Sequence, residues 1–149
     1  MADGSVIAAG LEHPHSLLPL SEKLAACASR HQELVVLGPG LARNRKLDGY
    51  TRGLCLDGPD LFVGTSVGRR VSRSSGRVDN PADPGTTVGR CAVTQLSASD
   101  LAVKRTFDLG AYGDEIYDLV PVTAVAQWPT LAPGELVQSF GAGASPRTQ

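Results

Sequence analysis

The stretch that decides the fold is Thr51–Ser66, TRGLCLDGPDLFVGTS, in which two apolar runs flank a short polar turn. Leu54–Leu56 ends the first run and Leu61–Val63 lies in the second, with Asp57 and Gly58 between them. Glycine takes positive φ angles at no steric cost, so an Asp-Gly pair between apolar runs indicates a tight turn. The stretch therefore predicts a β-hairpin.

Both strands of this hairpin recur along the chain. The first strand, Thr51–Leu56 (TRGLCL), is matched by His15–Leu20 (HSLLPL) and by Tyr117–Val122 (YDLVPV). The second strand, which ends in Ser66, is matched by Leu24–Ser29 (LAACAS). Self-similarity at a spacing of about 40 residues indicates a repeat architecture. We therefore take the hairpin as the start of a repeating unit.

Each of the first two units continues with two further apolar segments. Glu33–Leu37 and Arg90–Leu96 are the third strands, and weaker patterns at Leu41–Leu47 and Ala102–Leu109 are the fourth. We expect strands near 15–20, 24–29, 33–37, 52–56, 61–66, 90–96, 102–109 and 116–122. Four strands in about 40 residues is the size of a β-propeller blade. The predicted fold class is all-β, a partial β-propeller-like repeat of four-stranded antiparallel blades, with about two blades plus one strand.

The length of 149 residues suits a single domain. We expect one β-propeller-like domain over 1–140, with an inserted loop rich in Arg, Ser, Gly and Pro at 68–89, and a disordered tail at 141–149. Closed propellers need about four to eight blades. Two blades leave sheet edges unpaired, and unpaired edges predict self-association.

Composition excludes several classes of protein. Lys and Arg number 14 against 15 for Asp and Glu, which disfavours a nucleic-acid binder. There is neither an apolar run of about 18 residues nor a basic, apolar leader, so we expect neither a membrane span nor a signal peptide. Three cysteines without a CxxC pair predict buried, reduced thiols. Together these features predict a cytoplasmic protein.

Two histidines near the start of the first strand are the strongest candidates for chemistry. Pro14 favours an extended chain around it, and in an extended chain His13 and His15 point the same way. The pair, with Ser16, suits a metal or acid–base site, or it makes ordinary hydrogen bonds at the entry of a strand. No metal and no cofactor is predicted, because a third ligand is not evident.

Arginines provide the second set of candidates. Arg52, beside Thr51, opens the matching strand, and its planar guanidinium suits a carboxylate or a phosphate. The alternative is a structural ion pair with Glu115 or Asp118. Arg69 and Arg70 begin the inserted loop, which either clamps an anion or is simply solvated.

Four short motifs, in order, resemble a known family. His13–Ser16 (HPHS), Gly49–Leu54 (GYTRGL), Leu61–Ser66 (LFVGTS) and Glu115–Asp118 (EIYD) are similar to the PHS, G-[YF]-T-R-G-L, L-[FY]-V-G-x-S and E-I-[FY]-D strands of an uncharacterised bacterial β-propeller-like family. The resemblance covers about residues 11–122 and implies a propeller-like fold, with no established activity. Members of the family are longer, so this chain resembles a partial member.

These features predict a propeller-like β domain that binds a small anionic ligand or a protein partner. The candidate binding residues are His13, His15, Ser16, Thr51, Arg52, Arg69, Arg70, Glu115 and Asp118. The alternative is a metal-dependent hydrolase of the lactonase type, which would use His15, Glu115 and Asp118. The sequence lacks the common phosphate-loop, nucleophile-elbow and HExxH motifs, so whether the protein is an enzyme stays open.

Overall fold

The computed structural model describes residues 6, 8–38, 41–68 and 89–122. The strands in this part of the chain are β1 (Pro14–Leu20), β2 (Lys23–Ala28), β3 (Glu33–Gly38), β4 (Leu41–Lys46), β5 (Tyr50–Asp57), β6 (Asp60–Ser66), β7 (Ala92–Ser97) and β8 (Val103–Asp108). Helix is limited, among the described residues, to one 3-10 turn at Ser29–His31. The interior of the inserted loop, 69–88, and the predicted tail, 141–149, lie outside the described residues.

The strands form two antiparallel sheets of four strands each. The first sheet has the order β1-β2-β3-β4 and the second the order β5-β6-β7-β8, so each strand pairs with its neighbour in sequence. Neither sheet closes on itself. The prediction of an all-β chain built from two four-stranded units is confirmed. No helix in the described ranges is long and apolar enough to cross a membrane.

The Asp-Gly turn forms as predicted. Asp57 pairs with Asp60, and Leu56 pairs with Leu61, while Gly58 takes a φ of 56°. The first strands of the two sheets, β1 and β5, contact each other and are called the inner strands here. Each contains a bulge, at Ser16 in β1 and at Gly53 in β5. Both bulge residues have positive φ, 50° and 69°, and such bulges bend and twist a strand locally.

The strand pairing shows that the sequence alignment of the first strands of the two units was shifted by one residue. His15 pairs with Cys27 in the first sheet, and Arg52 pairs with Gly64 in the second. Cys27 and Gly64 occupy the same position in the matched second strands, so the counterpart of His15 is Arg52. The sequence alignment, which placed Thr51 opposite His15, was wrong because it matched Leu20 with Leu56, whereas the strand pairing matches Leu20 with the polar Asp57.

The core lies between the two sheets. The first sheet contributes Ala25, Cys27, Leu34 and Val36, and the second contributes Leu54, Leu61, Val63 and Leu96. Leu34, Leu61, Val63 and Leu96 are fully buried, and burying a side chain of this size stabilises a fold by about 1.5–3 kcal/mol. This shared core is what holds the two sheets together.

The two sheets use opposite faces to make this contact. In the aligned second strands, the buried Ala25 corresponds to Phe62, while the buried Leu61 corresponds to Leu24. Neighbouring residues of a strand point to opposite sides of a sheet. The face of the second sheet that packs on the first sheet therefore corresponds to the face of the first sheet that points away from the shared core.

The three cysteines are free thiols, as predicted. Cys27, Cys55 and Cys91 are all buried. Burial raises the pKa of Cys27 to about 12, against a weaker opposing effect of its hydrogen bond to Thr51. A buried thiol with so high a pKa stays protonated and unreactive in the folded protein.

A serine at the equivalent position of each sheet forms a hydrogen bond with the backbone of the segment that follows that sheet. The Ser29 hydroxyl donates to the Thr51 carbonyl oxygen at 2.6 Å. The Ser66 hydroxyl donates to the Ile116 carbonyl oxygen at 3.1 Å and accepts the Ile116 N–H at 2.8 Å. Ile116 thus lies against the second sheet as Thr51 lies against the first.

The strand predicted at 116–122 does not form. This segment has no strand structure, although Ile116 occupies the position at which the next strand would start. In the described part of the chain no strand pairs with this segment, and single contacts hold it: the Ser66 side chain binds Ile116, and the Val67 N–H donates to the Asp114 carbonyl oxygen at 2.8 Å. These contacts anchor the chain without a ladder of backbone hydrogen bonds.

We predict that Ser66→Ala destabilises the protein while Ser99→Ala does not. Ser66 is 3% exposed, and its loss leaves both backbone groups of Ile116 without this partner. The expected fall in the free energy of unfolding is about 1–3 kcal/mol, measured by urea denaturation. Ser99 is the control because its hydroxyl contacts Ser97 at the surface. Equal effects of the two substitutions would contradict the role given to Ser66.

Candidate functional site

The serine contacts align three segments with one another: residues 13–15, residues 50–52 and residues 115–117. Because Ser29 holds Thr51 as Ser66 holds Ile116, and β1 aligns with β5 through its bulge, the matching positions can be read off directly. His13, Tyr50 and Glu115 are equivalent, and so are His15, Arg52 and Tyr117. Each segment therefore contributes a pair of side chains two residues apart.

Five of these six side chains are connected by contacts with Tyr50 or with Arg52, and we call them the inner-strand cluster: His13, His15, Tyr50, Arg52 and Tyr117. Nδ1 of His13 contacts the Tyr50 hydroxyl. The rings of His13 and His15 lie 6.1 and 6.3 Å from the Tyr50 ring, centroid to centroid. The structure thus brings both predicted histidines to one side of β5.

Arg52 lies over two tyrosine rings. Its Cζ is 5.4 Å from the centre of the Tyr50 ring and 5.3 Å from the centre of the Tyr117 ring. Such cation–π contacts are worth about 0.5–2 kcal/mol, more where the cation is desolvated. They hold the guanidinium group in the middle of the cluster.

The charge of Arg52 is not neutralised within the described part of the chain. The residue is half-buried, its Nε is buried without a hydrogen-bond acceptor, and the described residues supply no ion pair to it. The expected ion pair with Asp118 is not formed. Aromatic contacts replace it, and these leave the donor groups of the guanidinium without an anion.

His15 is affected by the same surroundings. Burial lowers the pKa of His15, and the positive charge of Arg52 and the neighbouring His13 lower it further. The neutral imidazole is therefore favoured, with one nitrogen as a donor and the other as an acceptor. At neutral pH this side chain offers hydrogen bonds rather than charge.

Two predicted site residues turn out to hold the fold. The Ser16 hydroxyl accepts the N–H of Gly53 at 2.9 Å and so ties the bulge of β1 to the bulge of β5. Thr51 is fully buried and donates to the Glu33 carbonyl oxygen at 3.1 Å. The side chains of Ser16 and Thr51 thus connect the two sheets.

The four remaining predicted residues are not members of the five-residue cluster. Asp118 is exposed, and its Oδ1 accepts the N–H of Leu119 at 2.9 Å. Glu115 is half-buried and belongs to the aligned positions. Arg69 and Arg70 lie outside the described residues.

Sequence reasoning missed the two tyrosines. Tyr50 lies two residues before Arg52, and Tyr117 lies two residues after Glu115. In extended chain a spacing of two places both members of a pair on one side. That spacing was the available signal, and it was used for the histidines alone.

A metal centre is not supported by the described residues. In these ranges no group of three or more His, Cys, Asp or Glu side chains is placed to hold a metal ion. His13 and His15 lie near Tyr50 and Arg52 instead, and a guanidinium repels a cation. The arrangement suits a negatively charged group better.

No family model, no curated protein and no solved structure matches the chain.

We predict that Arg52→Met raises the pKa of His15, measured by the pH dependence of its imidazole NMR signals. The unfolded chain takes up this proton near pH 6.5, whereas the folded protein takes it up at lower pH. His15 therefore contributes stability above pH 6.5, and this contribution is lost as the pH falls towards the lowered pKa. By raising the pKa of His15 in the folded protein, Arg52→Met should narrow the pH range over which this contribution is lost.

Arg105→Met is the matched control for this measurement. Arg105 also lies over an aromatic ring, with its Cζ 4.5 Å from the centre of Phe107, and it lies on β8 away from the cluster. An unchanged titration of His15 in Arg52→Met, or an equal change in Arg105→Met, would contradict the electrostatic role of Arg52.

Proposed function

We propose that the protein is a propeller-like β domain that binds a small anionic ligand at the inner-strand cluster. Two features support the propeller-like arrangement: the sheets stack through opposite faces, and equivalent serines attach the following segment to each sheet. Ligands of such repeat folds often bind where equivalent positions of successive units meet. The resemblance of the four sequence motifs to a propeller-like family supports the same arrangement.

The observation that carries the proposal is that none of the described residues neutralises the charge of Arg52. A half-buried guanidinium without an anionic partner costs free energy, and a carboxylate or phosphate would remove that cost through charge-assisted hydrogen bonds. His13 and His15 stand beside it with further donor and acceptor nitrogens. Tyr50 and Tyr117 supply flat surfaces against which a small ligand can pack.

The other expected roles have weaker support. A lactonase-type hydrolase needs a set of metal ligands, which the described residues do not provide.

Self-association through sheet edges stays a prediction. The fourth strands oppose it with positive charge, since β4 carries Arg43, Arg45 and Lys46 and β8 carries Lys104 and Arg105. The buried free thiols fit the cytoplasmic location that we propose.

We predict that Arg52→Met weakens the binding of inorganic phosphate and of acetate at least about tenfold, since a charged hydrogen bond contributes about 1.5–3 kcal/mol. Binding is followed by NMR shifts of the backbone amides of His15 and of Tyr50–Gly53 during titration. Arg52→Lys, which keeps the charge but not the planar group, should retain part of the affinity.

Arg105→Met should bind both anions as the unmodified protein does. Circular dichroism of each variant establishes that it is folded. If neither anion shifts these amides, or if Arg52→Met binds both as tightly as the unmodified protein, the proposed function is wrong.

A further inference from the structure

We propose that an anion bound at the inner-strand cluster is held together with a proton on His15, so that the affinity for the anion rises as the pH falls. The inference rests on the proposed function and adds to it the regulation of the same site. The imidazole of His15 takes the proton from solvent when the anion binds and returns it to solvent when the anion leaves.

The first step is the position of His15 relative to Arg52. Both side chains lie against the same ring: the His15 ring is 6.3 Å from the Tyr50 ring, centroid to centroid, and Arg52 Cζ is 5.4 Å from the centre of the Tyr50 ring. They are also the equivalent residues of two strands that contact each other, β1 and β5. A protonated His15 therefore places a second positive charge near the first, and partly buried surroundings strengthen the repulsion between them.

The second step is the set of titratable groups around His15. Arg52 on β5 and His13 on β1 both disfavour its protonated form, and burial acts in the same direction. Cys27, which pairs with His15 from β2, is a thiol whose burial raises its pKa to about 12, so it brings no charge. No carboxylate of the described residues opposes these effects. His15 thus lacks a negative partner that would hold a proton on it.

The 3-10 turn packs against β1 and carries two further basic side chains, Arg30 and His31. Both lie beside the Glu12 carboxylate, with Arg30 Nε at 3.2 Å and His31 Nε2 at 3.7 Å from the same oxygen. Within the described part of the chain these two have a carboxylate partner, whereas His15 and Arg52 have none. The negative charge that the cluster lacks is therefore the charge that a ligand would bring.

The ring nitrogens of His15 are also open to a ligand. Nδ1 of His13 contacts the Tyr50 hydroxyl, which occupies one of the two nitrogens of that ring. Among the described residues, none forms a hydrogen bond with either ring nitrogen of His15. An anion at Arg52 can therefore accept a hydrogen bond from His15 without displacing a protein group.

The third step is what the anion changes. At Arg52 it compensates the positive charge of the guanidinium, and it gives the protonated imidazole of His15 both an opposite charge and a hydrogen-bond acceptor. Binding of the anion therefore raises the pKa of His15. Coupling between two binding equilibria is reciprocal, so protonation of His15 raises the affinity for the anion by the same factor.

The first test follows the proton itself. The pH titration of the His15 imidazole is recorded by NMR from about pH 8 to about pH 5, the range in which histidines titrate, without anion and with saturating sulfate at constant ionic strength. Sulfate should raise the pKa of His15 by about 0.7 or more, which corresponds to a coupling of about fivefold. The titration of His31 is the control and should not move.

The second test measures the affinity for sulfate at both ends of this pH range, from the NMR shifts of the backbone amides of Tyr50–Gly53. Sulfate should bind about fivefold or more tightly at about pH 5 than at about pH 8. His15→Gln keeps a donor and an acceptor but takes up no proton, so it should lose most of this dependence on pH. His31→Gln is the matched control and should keep it.

The outcomes separate this inference from the proposed function. If sulfate binds and depends on Arg52 but leaves the titration of His15 unchanged, the coupling is wrong and anion binding stands. An equal pH dependence in His15→Gln and in the unmodified protein leads to the same conclusion. If sulfate, phosphate and acetate all fail to bind across this pH range, both proposals are wrong. Where His15→Gln does not fold, the titration of His15 in the unmodified protein decides.

Discussion

The arrangement of this protein depends on a hydroxyl group at the end of the second strand of each sheet. Ser29 and Ser66 are buried, and each binds the backbone of the segment that follows its own sheet. A buried backbone group must find a partner, so these bonds fix the position of the following segment along its axis. Because side chains alternate along extended chain, that position also decides which residues face the cluster.

Much of the fold could be predicted from the sequence. The turn at Asp57 and Gly58, the matched second strands and the apolar third strands have signals that are local, and the structure has them where they were expected. The fourth strands have weaker patterns, since β4 and β8 are outer strands with charged residues. Their existence followed from the repeat rather than from their own composition.

The parts that could not be predicted depend on contacts between distant residues. The last residue of β1 is the apolar Leu20, whereas the last residue of β5 is the polar Asp57. The alignment of Arg52 with His15 was missed because the last apolar residues of the two strands were matched instead. The segment after Glu115 has the composition of a strand, yet a strand also needs a partner, and in the described part of the chain no strand pairs with it. Tyr50 became a site residue through its contact with His13, which lies 37 positions away in sequence.

The stacking of the sheets through opposite faces has a consequence for how such a chain can change in evolution. Leu54 packs against the first sheet and is 6% exposed, whereas its counterpart Leu17 is 66% exposed. A further unit of the same pattern would cover Leu17 with contacts that already exist between the present two sheets. Tandem duplication can therefore lengthen this architecture without inventing a new interface.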